Sequence, residues 1–290
     1  MNLFDHLVSQ AMKSQGELSP LRTVIEKELL HHDILREMSG AGLLDNLTFI
    51  GGTCLRSCYG SKRLSEDLDF TGGHDFKRTM LSDLGSVLIN RLHRKYGLHV
   101  IVSEPTRETG NVDTWKLKVT TRPKQKNLPL QRINIDICAI PSYDSRPVLL
   151  RNHYNIDMGT SGLIIQAQSL QEILADKIVA LALRPNRIKN RDLWDISWLK
   201  QHNIDIPLNL VAKKIKDHHC DTDNFLALLD ERKQISLNLP DANSNFIWEM
   251  RRFLPPQVVS DTIENDIFWE YLTDLIRTEC DLVIHKLPKL

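Results

Sequence analysis

Apolar residues follow helical spacing through much of the first fifty positions. Val24, Ile25, Leu29, Ile34, Leu35 and Met38 share this pattern behind Ser19-Pro20, which reads as a cap and first-turn proline, and Gly40 and Gly42 end the helix. A short apolar strand, Leu47-Thr-Phe-Ile50, then runs into Gly51-Gly52, and the segment from Thr53 to Tyr59 is expected to form a short helix closed by Gly60. Leu68-Asp-Phe70 is strand-like, and Phe76 to Tyr96 reads as one long amphipathic helix. From Leu98 the period becomes two. His99–Val102, Thr114–Thr120 and Arg132–Cys138 alternate like half-buried strands, with Trp115, Leu117 and Val119 on one side and Ile133, Ile135 and Ile137 likewise on the core side. Asn134, Asp136 and Cys138 share the opposite face. After about residue 165 the strand signal fades. Ser169 is placed to cap a helix through Leu183, with Glu172 at its third position as in a capping box. Further helices are expected around 190–201, 208–218, 223–235, 242–253 and 261–284. The expected architecture is α/β (α+β): a sheet-containing domain with amino-terminal helices over 1–165 and a helical domain over 166–290.

Composition narrows the class. The chain has 290 residues, 41% of them apolar, enough for a real core and unlike a disordered chain. Its longest purely apolar run, Ile178 to Leu183, falls far short of the ~20 residues that cross a bilayer. The start, Met1-Asn-Leu-Phe-Asp-His-Leu7, lacks the basic and long apolar parts of a secretory signal. Five cysteines, an odd number, read as free thiols in a reducing compartment, and a cytoplasmic location is expected. Cys54 and Cys58 are too few for a structural zinc site, and the adjacent pairs His31-His32 and His218-His219 point to different sides of a helix.

Lys plus Arg and Asp plus Glu both total 37, which excludes a globally basic nucleic-acid coat. The balance is local, however. Lys116, Lys118, Arg122, Lys124, Lys126 and Arg132 fall in a stretch with no acid, Arg184 to Arg191 adds four more cations, and residues 241–290 hold nine carboxylates against five cations. The two basic stretches suit either a solvated surface or phosphate binding.

The densest chemistry lies between Phe49 and Phe70. A strand ends at Gly51-Gly52 and a helix begins at Thr53, so the backbone can approach a ligand and offer N–H groups to a phosphate. Asp67 and Asp69, two apart on a strand, point to one face. Two such carboxylates repel unless a cation lies between them, and magnesium, which takes a few carboxylates plus water and substrate phosphates, suits the pair. If the strand of Asp136 lies beside theirs, that carboxylate becomes a third metal ligand, an arrangement that supports nucleotidyl or phosphoryl transfer. Arg63 is placed either to clamp a phosphate or to brace the aspartates.

These residues resemble a known family. Gly51-Gly52-Thr53-x-Leu55 followed by Arg63-x-Ser65-x-Asp67-Leu-Asp69-Phe70 is similar to the first motif of AbiEii/AbiGii-type nucleotidyltransferase toxins, of the polymerase-β-like superfamily. Lys177-x-x-Ala180-Leu-x-x-Arg184 and Arg191-Asp192-x-x-Asp195 continue the likeness. The resemblance implies a small mixed-sheet nucleotidyltransferase domain and a toxin with a cognate antitoxin. It also implies magnesium-dependent transfer of a nucleoside monophosphate from a nucleoside triphosphate to RNA, including the 3′ end of transfer RNA. By the same likeness Asp67 and Asp69 hold metal, Gly52 and Ser65 lie near the triphosphate, and Lys177 with Asp192 or Asp195 completes the pocket. Lys177 is then placed to neutralise the leaving pyrophosphate. Ser65 stands near enough to the metals to be a modification site. Two other readings stay open: transfer to a protein or small molecule, and a non-catalytic nucleotide- or partner-binding module.

Overall fold

The computed structural model describes residues 2–14, 21–106, 110–123, 129–185 and 188–287. The Ser19-Pro20 cap and the cations Lys124, Lys126 and Arg187 lie outside the described residues. The chain divides into two compact units, Met1–Gln168 and Ser169–Leu290.

In the first unit, helices α1 (Leu3–Ser14) and α2 (Arg22–Gly40) precede strand β1 (Thr48–Ile50). Then come α3 (Gly51–Cys54), which continues as a π-helical turn over Leu55–Tyr59, and strand β2 (Leu68–Thr71). Helix α4 (Leu84–Tyr96) leads into β3 (Val100–Ser103), β4 (Val112–Val119), β5 (Gln131–Cys138), β6 (Ser145–Leu149) and β7 (Ile164–Gln168). Among the described residues these strands form one mixed sheet in the order β3-β4-β5-β2-β1-β7-β6. The expected single helix from Phe76 is instead a 3₁₀ turn, Arg78–Leu81, followed by α4; the apolar stripe continues across the break because Leu81, Leu84, Leu88 and Leu92 are all buried. The two strands after Cys138 were not legible. The outer one, Ser145-Arg-Pro-Val-Leu149, is an edge strand that carries Pro147 and is mostly exposed, so it lacks the alternating pattern.

Alternation sets the sheet's two faces. Ile133, Ile135 and Ile137 are buried beneath α2, which packs on β5, while α4 packs on β3. Asn134, Asp136 and Cys138 are half-exposed on the other side. A one-residue slip would bury the carboxylate and expose the isoleucines, so burial pins this register.

Helix α2 carries unusual buried polarity. Glu26 accepts from Arg22, Thr121, Arg122 and Gln131, and Asp33 holds Lys95 at 2.6 Å, Arg36 at 2.9 Å and the Tyr96 hydroxyl at 2.6 Å. His32 meets the hydroxyl of Thr160 at 3.1 Å. Burial pushes the His32 imidazole down to about 4, against the opposing pull of Glu28. An unfolded histidine takes its proton near 6.5, so from there down to about 4 the unfolded chain binds the extra proton. Stability therefore falls with pH across that window, by about 3 kcal/mol in all from this group. A His32→Gln variant is expected to lose less stability than the wild type between pH 7 and pH 4, read as urea midpoints at each pH; equal losses would contradict this.

The second unit is helical: α5 (Leu170–Leu183), α6 (Asn190–Gln201), α7 (Leu208–Asp217), α8 (Thr222–Asn238), α9 (Ala242–Met250), α10 (Pro256–Val258) and α11 (Asp266–Lys286). Helix α5 packs against α6, α7 and α8, burying Ile173, Leu174, Ile178 and Leu181. Ser169 caps it as expected, its Oγ accepting from the Glu172 N–H at 3.1 Å. The carboxylate of Glu172 pairs with the buried Lys214 at 2.6 Å, alongside Asp176. Where one helix was expected over 261–284, α10 and a π-helical turn (Val259–Ile263) precede α11, which begins at Asp266 with Asn265 as its cap. Among the described residues no helix is long and apolar enough to cross a membrane.

Candidate active site

Strand pairing assembles the carboxylates. β2 runs parallel to β5 with Asp69 directly beside Asp136, and Thr114 of β4 is opposite Asp136 on the far side. Asp67, just before β2, accepts the backbone N–H of Asn134 at 3.0 Å through its Oδ1. Asp67, Asp69 and Asp136 are all half-exposed, while their neighbours Leu68, Phe70, Ile135 and Ile137 are buried. The sheet thus presents three carboxylates on one face, two of them register neighbours on adjacent strands.

The glycines serve this face by being small. The helix starts at Gly51, two residues earlier than expected, with Gly51 at φ +76°. A Cβ on Gly51 would stand 2.9 Å from Asp69 Oδ2, and one on Gly52 would stand 2.1 Å from the Arg63 guanidinium. Gly51 therefore lets the turn press against a candidate metal ligand. Arg63, 3% exposed, packs on Gly52 and donates to the Leu64 carbonyl at 3.1 Å. Thr53 and Ser65 are buried. The Thr53 hydroxyl donates to the Asp67 carbonyl, which can only accept, and its oxygen lies 2.7 Å from the Ser65 hydroxyl. This pair ties the start of α3 to the segment that enters β2 at Asp67.

Beneath this motif lies a layer that sequence reasoning missed. Lys27, Glu28 and His31 of α2 grip the loop before Asp67. Glu28 accepts the Ser65 N–H at 3.1 Å, His31 meets the Glu66 carbonyl at 3.0 Å, and Lys27 pairs with the Glu66 carboxylate at 2.8 Å. Glu28 also pairs with Arg56 at 3.2 Å and accepts the Tyr154 hydroxyl at 2.5 Å. Burial pushes the Glu28 carboxyl up, but Arg56 and Tyr154 outweigh it and hold the group below its ordinary value. Positions 24, 28, 31 and 35 share one helix face, so an acid and a histidine interrupting that apolar stripe were the available signal.

The remaining expected site residues lie in the helical unit. Lys177 of α5 contacts Asp192 at 2.5 Å and Asp195 at 2.8 Å, both on α6, and Arg184 reaches the other oxygen of Asp192. Burial raises the Asp192 carboxyl, yet Lys177 and Arg184 together drive it well below the carboxylate range. Asp192 is thus held ionised by its partners; it sits inside α6, whose cap is Lys189. Lys177 bridges Asp192 and Asp195, and Arg184 adds a second cation at Asp192.

Of the second basic stretch, Arg184 is committed to Asp192, and Arg191 pairs with Glu249 at 3.5 Å and stacks over Phe253. From the first, Arg122 is committed to Glu26 at 2.9 Å.

Comparison with known proteins gives these features a family. Residues 33–269 match the family described as nucleotidyl transferase AbiEii toxin, type IV toxin–antitoxin system. The fold is similar to that of MenT4, a nucleotidyltransferase toxin from Mycobacterium tuberculosis H37Rv, with TM-score 0.53 and 14% identity over 98% of each chain. JHP933 from Helicobacter pylori gives TM-score 0.42 and 18% identity over 90% of this chain and 94% of that one. No curated protein matches the sequence. The family match spans both units and takes in the glycine turn, all three carboxylates and the Lys177 network: the chain belongs to the AbiEii nucleotidyltransferase toxins of type IV toxin–antitoxin systems.

Proposed function

We propose that this toxin transfers a nucleoside monophosphate from a nucleoside triphosphate to RNA, with the 3′ end of transfer RNA as the acceptor, at the carboxylate face of β2 and β5. The observation that carries the reading is the register of Asp69 beside Asp136, with Asp67 on the same face. The family implies a cognate antitoxin.

The donor set is hard and all-oxygen, and Gly51 keeps the space against Asp69 too small for even a methyl group. Among the described residues no group of three or more His, Cys, Asp or Glu side chains is placed to hold a metal ion by itself, so water and substrate oxygens would have to complete the shell. A few carboxylates completed by water and substrate phosphates are what magnesium accepts, so the residues fit it. Asp67, Asp69 and Asp136 would hold the ion, which supplies charge stabilisation to the phosphoryl oxygens. In the reaction the acceptor 3′-oxygen bonds to the α-phosphorus, the α–β bridging P–O bond breaks, pyrophosphate leaves, and the hydroxyl proton departs to solvent. The Gly51–Gly52–Thr53 turn, braced by Arg63 and Ser65, is assigned to the triphosphate. Lys177, Asp192 and Asp195 stay candidate residues within the helical unit; Lys177 lies 2.5 Å from Asp192 and 2.8 Å from Asp195, so an anion that reaches its ammonium group competes with a carboxylate.

The test is incubation of the protein with each α-labelled nucleoside triphosphate, magnesium and total transfer RNA. Label should enter RNA with the wild type, and Asp67→Asn or Asp69→Asn should lower transfer by about a thousand-fold or more, the several kcal/mol that metal catalysis supplies. Label in protein or a small metabolite would discard the RNA acceptor, and transfer that persists in Asp69→Asn would discard the site.

A further inference from the structure

The carboxylate face continues into cations. Lys116 and Lys118 of β4 and Arg132 of β5 occupy the same alternating positions as Asp136, and Lys118 stands directly opposite Arg132. Lys116 and Arg132 are exposed and Lys118 half-exposed. Like charges facing each other across a ladder repel. Among the described residues of these basic stretches, Arg122 is answered by Glu26, Arg184 by Asp192 and Arg191 by Glu249. These three have no carboxylate partner among the described residues. An unrelieved cationic row on a face that otherwise displays a candidate catalytic centre fits a polyanion.

Distance decides which polyanion. Arg132 and Lys118 lie four residues along the strand from the row of Asp136 and Asp69, about 13 Å at ~3.3 Å per residue. A triphosphate whose α-phosphorus sits at the carboxylates does not extend that far. A polynucleotide does, since its phosphates continue away from the reacting end. Ile101 of β3, opposite Lys118 and 42% exposed, adds an apolar spot in the same row, suited to a ribose or base.

We infer that Lys118 and Arg132 form the track on which the acceptor RNA's phosphate backbone lies, separate from the donor triphosphate, with Lys116 between them and the carboxylates. This rests on the RNA-transfer reading above. Binding of total transfer RNA to the full-length protein, measured across a salt series, tests it. Removing two phosphate contacts in Lys118→Ala/Arg132→Ala should lower the log–log salt slope by about 1.4 and weaken RNA binding about twenty-five-fold at 0.1 M salt. Affinity for the nucleoside triphosphate alone should be unchanged, and the variant should melt no lower than the wild type because a repulsive pair is gone. An unchanged slope in a variant that still transfers label to RNA would overturn the track and leave the transfer reading standing. An equal loss of triphosphate affinity would also overturn it, by assigning the cations to the donor. A wild-type protein that binds no transfer RNA would overturn both.

Discussion

Replacing Glu28 by leucine is expected to cost about 3–5 kcal/mol of stability, because it leaves Arg56 buried without its carboxylate. The Tyr154 hydroxyl and the Ser65 N–H lose their acceptor at the same time. Urea denaturation of the variant reads the first effect. The second substitution, Arg56→Met on top of Glu28→Leu, separates stability from function. With both charges gone the buried pair is replaced by apolar groups of similar size, and much of the lost stability should return. Nucleotidyl transfer should not return, since the loop that leads into Asp67 has still lost the acceptor for its Ser65 N–H, with only Lys27 and His31 left to hold it to α2. Recovery of both together would show that Glu28 serves only the fold.

Gly51→Ala is the second large effect, and it is expected to fall on activity more than on stability. A left-handed backbone costs an alanine about 1–2 kcal/mol. The new methyl would also come within 2.9 Å of Asp69 Oδ2, so the carboxylate or the turn must shift. A displacement of even about 1 Å at a reacting centre costs on the order of a hundred-fold in rate. Transfer assays should therefore show a loss of that order in a variant that melts cooperatively only slightly below the wild type. Gly97→Ala, also left-handed at φ +67° but with nothing within 4 Å of its Cβ, is the matched control and should transfer normally. Equal activity in the two variants would mean that the turn does not position Asp69.

The carboxylate face was legible because alternation is a local property. Arg132 to Cys138 shows Asp136 outward between buried isoleucines with no knowledge of the rest of the chain. Which strand lies beside it was not legible, since strand order depends on contacts 67 residues apart, as between Asp69 and Asp136. The same limit hid the charge partners. Arg191 looks like part of a phosphate-binding run until Glu249 is found against it, and Lys177 looks available until Asp192 and Asp195 close on it. Glu28 was hidden differently. An acid within a helical stripe reads as an irregularity in the pattern, and only the return of the chain at Arg56 and Ser65 turns it into a support. The π-helical turn at Leu55–Tyr59 had one sign in sequence, Gly60, which closes it at φ +87° as expected.

Strand register sets Asp136 beside Asp69, and the proposed catalytic face rests on that pair. Asp136→Asn tests it most directly, measured as label transferred from nucleoside triphosphate to transfer RNA beside Asp69→Asn, with melting curves of both. Asp136→Asn is expected to lose transfer as thoroughly as Asp69→Asn while both melt like the wild type. Full transfer by a folded Asp136→Asn protein would contradict it.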